Sequence, residues 1–129
     1  MGKWPPQMSA NMWASEFQCP CCGRLELNPL LVLSLQWFRD RLGKPLVIHS
    51  GYRCNEHNNE ISGSPQSQHL VGNAADVTCL GETIDDLAEF AEQIPYFNGG
   101  GIGKYDTHLH VDVRDGPARW DSPNRNAKP

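Results

Sequence analysis

Apolar positions along this chain fall into a few short periodic blocks separated by glycine, proline and small polar residues. The longest begins at Asn28-Pro29, a capping residue followed by a proline suited to a first helical turn, and stops at Gly43-Lys44-Pro45. Within it Leu31, Leu35, Phe38 and Leu42 recur at helical steps on one face, while Arg39, Asp40 and Arg41 fall away from that face. The spacing predicts a core helix over 28–43. A second helix is predicted over 83–94: Thr83 can cap it, Asp85 and Asp86 suit its positive end, Leu87, Phe90, Ala91 and Ile94 keep the period, and Pro95 follows. Leu46-Val47-Ile48 reads as a short buried strand delivering His49-Ser50-Gly51-Tyr52-Arg53 at its end. Ala74 to Cys79, the glycine-rich run 99–103 and His108 to Val113 read as further strands of one sheet. The expected class is α+β, a small, mainly antiparallel sheet with helices packed against it.

A chain of 129 residues accommodates one core. Residues 1–14 and 121–129 lack periodicity and carry several prolines, so they are expected as a loosely attached N-terminal extension and C-terminal tail around a domain spanning 15–120. With 11 Lys and Arg against 15 Asp and Glu, the net charge of −4 removes the electrostatic case for a nucleic-acid partner. No apolar run reaches the roughly 18 residues of a membrane span, and Met1–Trp13 holds no apolar leader. The expectation is therefore a monomer without a membrane partner, made in the cytoplasm without an export signal of its own.

Cysteines stand at 19, 21, 22, 54 and 79, an odd number that excludes a fully paired disulfide framework within one chain. Cys19 and Cys22 have the Cys-x-x-Cys spacing of half a zinc site, which Cys54 or Cys79 could complete. Cys19, Cys22 and Cys54 are thus candidates for a second, structural zinc or for a disulfide.

Metal-capable side chains concentrate in Ser67-Gln68-His69-Leu70-Val71-Gly72-Asn73-Ala74-Ala75-Asp76 and in His108-Leu109-His110-Val111-Asp112. On a strand, residues 108, 110 and 112 share a face. A turn at Val71-Gly72-Asn73 could fold His69 back beside Asp76. Imidazole and carboxylate are ordinary zinc ligands, and three of them leave a fourth position for water, as a hydrolase needs.

Ser50-Gly51-Tyr52-Arg53, Ser67-x-His69-x-x-Gly72-x-Ala74-Ala75-Asp76 and His108-x-His110-Val111-Asp112, in this order, resemble the D-alanyl-D-alanine carboxypeptidase family of zinc peptidases, relatives of the hedgehog signalling domain. The resemblance implies that His69, Asp76 and His110 bind one catalytic Zn2+, that Arg53 and Ser67 face the substrate, with Arg53 holding a carboxylate or a nearby backbone group, and that His108 stabilises an oxyanion or orients the site. It implies peptidoglycan peptides as substrate, cut by a carboxypeptidase or endopeptidase acting at the bacterial wall after release or export, as a phage endolysin does. Several relatives carry an acid three positions before the last ligand; here that position is Thr107. The general base is then sought in Asp112 or Asp106. Asp112 has an equal claim as a carboxylate that orients a ligand histidine. Two other readings use part of the same residues. One is a binding module that holds zinc without catalysis, favoured by Thr107; the other is an iron oxygenase built on His110, Asp112 and one further histidine.

Overall fold

The computed structural model describes residues 4–122. Helix α1, Pro29–Leu42, forms where the apolar period places it, with the Asn28 side chain accepting from the Leu30 amide and Gly43 closing the last turn at φ +67°. Leu31, Leu35, Phe38 and Leu42 all lie in the core. Helix α3 is shorter than expected: after α2 (Asn55–Glu60) it runs over Ile84–Ala91 from a Thr83 cap, and Pro95 starts a separate turn, α4, Pro95–Asn98.

Strands β3 (Val47–Ser50), β4 (Ala74–Thr78), β5 (Gly101–Lys104), β6 (Leu109–Asp112) and β7 (Ala118–Asp121) form one sheet in the order β3-β4-β6-β5-β7. All neighbours are antiparallel except β5 and β7. The fold class is α+β, as the sequence implies. Helices α1 and α3 cover the face carrying Ala75, Val77, Leu109 and Val111 with Leu31, Leu35, Phe38 and Leu87. The opposite face carries the polar residues of the same strands.

Three expectations are corrected. Strand β3 is an edge strand with Val47 exposed, because its apolar run has β4 on one side only, and it extends through His49 and Ser50. The N-terminal segment is ordered where described: β1 (Gln7–Ser9) pairs with β2 (Met12–Trp13), and buried Met12 and Phe17 join the core. At the other end β7 is a full member of the sheet, hidden from the period-2 pattern by Arg119 and Asp121; residues 123–129 lie outside the described residues.

Gly72 carries the turn between the 3-10 segment Gln68–Val71 and β4, at φ +74°. A methyl group there would overlap the Glu26 carbonyl and crowd Leu27. Gly72→Ala is therefore expected to destabilise the domain by at least about 2 kcal/mol, through left-handed backbone strain plus the overlap. Urea unfolding measures it, and an unchanged midpoint would show that the turn relaxes freely.

Candidate metal centre

One row of residues crosses the sheet. Ser50 faces Asp76, Asp76 faces His110, His110 faces Gly103 and Gly103 faces Trp120, each by strand register. Because Gly103 has no side chain, the Trp120 ring lies over that position, 5.0 Å from the His110 ring. His69 enters from the 3-10 segment, turned back by Gly72. The structure thereby gathers His69, Asp76 and His110, all buried, with ligand-capable atoms within 4.8 Å of one another.

The hydrogen bonds around these atoms fix which nitrogens carry protons. His69 Nδ1 lies 2.6 Å from the Gly51 carbonyl oxygen, which can only accept, so Nδ1 donates and Nε2 is left with a lone pair. Burial holds His69 below the ordinary histidine value, in its neutral form. His110 Nε2 lies 2.6 Å from Asp112 Oδ2 and donates to it, so Nδ1 faces inward. His69 Nε2 is 3.1 Å and His110 Nδ1 3.4 Å from the same atom, Asp76 Oδ1. Both His110 Nδ1 and His108 Nε2 are buried without a hydrogen-bond partner among the described residues. Two imidazole lone pairs and a carboxylate oxygen facing one another repel unless a cation lies among them. The donor set, two imidazole nitrogens and one carboxylate oxygen, suits zinc with a position left for water or substrate.

The charges agree. Burial would push the Asp76 carboxyl up, but His69 and His110 beside it override burial and hold it far below the usual carboxylate range. His110 is pulled down by burial and raised more strongly by Asp112 and Asp76, so the pocket favours positive charge at this ring. Asp76 Oδ2 is used differently from Oδ1: Arg53 Nη2 donates to it at 3.2 Å.

Arg53 does not have the position that substrate anchoring alone implies. It is 2% exposed, and besides Asp76 it donates to Ser50 Oγ and Asn58 Oδ1 at 3.2 Å each. Ser67 caps the 3-10 segment by accepting from the His69 amide. Asp112 accepts from the Gly101 amide, from the Arg114 amide and guanidinium and from His110, a full complement of donors that turns it away from Asp76. The iron site imagined on His110 and Asp112 is therefore not formed, since the carboxylate binds the ring nitrogen opposite Nδ1. Asp106 is exposed in the turn before β6, whereas Thr107 and His108 reach a cleft that Arg53, Asp76, Glu16 and Pro20 also line. His108 stacks on Tyr105 with ring centroids 4.7 Å apart, and its Nε2 sits 3.7 Å from Asp76 Oδ2.

A wider hollow over α3 is lined by Asp85, Glu92, Lys104 and Arg119, but Lys104 pairs with Asp85 and Arg119 with Glu92, and no metal-capable trio converges there. Sequence reasoning missed Asn58, Arg114 and Trp120. Arg114, two residues after Asp112, could have been found as its charge partner; Asn58 in the polar run Asn55–Glu60 gives no such signal.

Two further consequences follow for metal binding. Protons compete for His110, so zinc affinity is expected to fall as pH drops through the raised pKa of this ring. Asp112→Ala, which frees His110 to rotate and change tautomer, is expected to weaken zinc binding about 10- to 100-fold. Competition with a chromophoric chelator measures both, and an Asp112→Ala protein of wild-type affinity at every pH would sink this account of the tautomers.

With this geometry, the comparisons with known proteins acquire a structural meaning. Residues 11–112 match the peptidase M15 family. Over 101 residues the chain is 30% identical to the zinc D-Ala-D-Ala carboxypeptidase of Streptomyces albus G, a match that covers 75% of this chain and 39% of that protein. The chain thus spans well under half the length of that relative. The matched stretch holds α1, the turn at Gly72 and all three facing ligand atoms, and this chain belongs to the peptidase M15 family.

Proposed function

We propose that this chain is a zinc peptidase acting on peptides of bacterial peptidoglycan. One observation supports this above all: His69 Nε2, Asp76 Oδ1 and His110 Nδ1 face one another at the edge of a cleft, with no proton to share. Zinc held there would polarise a peptide carbonyl and lower the pKa of water. The substrate class rests on the relative named for D-Ala-D-Ala cleavage.

The protein side of the reaction is assigned as follows. Burial holds His108 below the ordinary histidine value, so it is neutral near pH 7, and its Nε2 has no partner. It accepts the proton of the attacking water and returns it to the leaving amine, the work expected of an acid at the position of Thr107. Thr107 Oγ1, 2.9 Å from His108 Nδ1, accepts the other ring proton and keeps Nε2 free to act as base. Asp112 orients His110. Arg53 holds Asp76 so that Oδ1 turns inward; a substrate carboxylate would have to displace the Asp76 carboxylate to take its place. Ser67 keeps His69 in register through its cap.

Digestion of purified muropeptides with mass analysis of the products tests activity and bond together. Loss of a terminal D-alanine identifies a carboxypeptidase, and halving of cross-linked dimers an endopeptidase. His108→Ala is expected to lower kcat about 10²- to 10⁴-fold with zinc content unchanged. Arg53→Ala should impair a stem peptide and its C-terminal amide by the same factor. Zinc bound at full stoichiometry with no product from any muropeptide would favour the non-catalytic module that Thr107 allows.

A further inference from the structure

A second cluster of metal-capable atoms lies apart from the histidines. The sulfur atoms of Cys19, Cys21, Cys22 and Cys54 all fall within 4.8 Å of one another. Cys19 and Cys21 are 3.6 Å apart, Cys19 and Cys54 3.6 Å, and Cys21 and Cys54 3.3 Å. All four are free thiols. Four sulfurs placed about 2.3 Å from a zinc ion at the centre of a tetrahedron stand roughly 3.8 Å from each other. The observed separations lie near that figure and well outside the roughly 2 Å of a disulfide. Cys79 is not part of the group; it is buried in the main core.

The backbone is shaped for the cluster. Gly23 donates to the Cys19 carbonyl at 2.8 Å and Cys19 to the Arg24 carbonyl at 2.9 Å, closing a tight reversal with Gly23 at φ +73°. That reversal brings three cysteines of a four-residue stretch to one side. Cys54 arrives from the loop after β3, and its sulfur accepts from the His57 amide at 3.4 Å. The sequence pairs Cys19 with Cys22 by spacing; Cys21 becomes visible as a fourth donor only once the chain is folded.

We propose that Cys19, Cys21, Cys22 and Cys54 form a tetrathiolate site for a structural zinc ion, distinct from the His69, Asp76 and His110 centre. Four soft sulfur donors select zinc over hard cations, and with all four positions filled no place is left for substrate or water, so the site is structural. It fastens the segment from Phe17 to Arg24 onto the loop that carries Gly51 and Arg53, where Tyr52 already donates to the Phe17 carbonyl at 2.9 Å. Gly51 orients His69, Arg53 holds Asp76, and Pro20, between two of the cysteines, lines the cleft. The clamp therefore stiffens one side of the catalytic centre without touching it.

Cobalt reconstitution distinguishes the two centres optically, because only thiolate ligands give intense sulfur-to-cobalt charge-transfer bands in the near ultraviolet. The full chain, reduced and stripped of metal under anaerobic conditions, is titrated with Co2+. Those bands are expected to saturate at one equivalent bound through sulfur, and to survive in the His69→Ala, His110→Ala double variant, which has lost the other centre. They should weaken in Cys21→Ser, an exposed and conservative change that spares the fold, and vanish in Cys19→Ser with Cys54→Ser. Absence of the bands from the reduced wild-type chain at excess cobalt would overturn the proposal, a result independent of whether any variant folds. Bands of undiminished intensity in the Cys19→Ser, Cys54→Ser protein would overturn it equally.

Discussion

Asp76 is a carboxylate buried in the middle of a five-stranded sheet, and its two oxygens have different neighbours. Taking such a charge out of water costs several kcal/mol unless it is met by partners. Oδ2 meets the buried Arg53 guanidinium, while Oδ1 faces two imidazole nitrogens whose protons are committed elsewhere. The first contact makes the charge tolerable. The second leaves a demand for positive charge that the protein itself does not fill, and the rest of the site is arranged around that demand.

The sheet supplies the arrangement through its register. Ser50, Asp76, His110 and Gly103 stand in one row, so a slip of one residue in β4 or β6 would send Asp76 or His110 into the apolar face that α1 and α3 cover. The apolar residues between them, Ala75 and Val77 in β4 and Leu109 and Val111 in β6, oppose that slip by burying fully against the helices. The core thus positions the chemistry: each apolar contact on one face fixes a polar neighbour on the other. Around this frame, groups outside the sheet set proton positions. Gly51 oxygen fixes His69, and Asp112, itself held by Arg114 and the Gly101 amide, fixes His110.

Much of this was legible in the sequence where one residue type admits few structural meanings. The face of α1, the cap at Asn28, the stop at Gly43 and the turn at Gly72 are local events, and local propensity decides them. His69, Asp76 and His110 could be brought together by the turn and by strand alternation, and their shared geometry follows that line. The edge position of β3 and the membership of β7 were not legible, because they depend on which strands become neighbours after the chain has closed. The roles of Arg53 and Asp112 were open for a related reason. Sequence places a guanidinium or a carboxylate near a site, but only the folded packing shows that Arg53 is enclosed with Asp76 and that Asp112 already has four groups donating to it. Cys21 was missed by a spacing rule that selects Cys19 and Cys22.

The most direct test of the central claim is anomalous X-ray diffraction at the zinc absorption edge from crystals of the zinc-loaded chain. The expected result is a peak about 2.0 to 2.2 Å from His69 Nε2, Asp76 Oδ1 and His110 Nδ1, with His110 Nε2 still bonded to Asp112 and Arg53 still on Asp76 Oδ2. A zinc-loaded chain with no peak among these three atoms, or one in which His110 has turned to coordinate through Nε2, would contradict it.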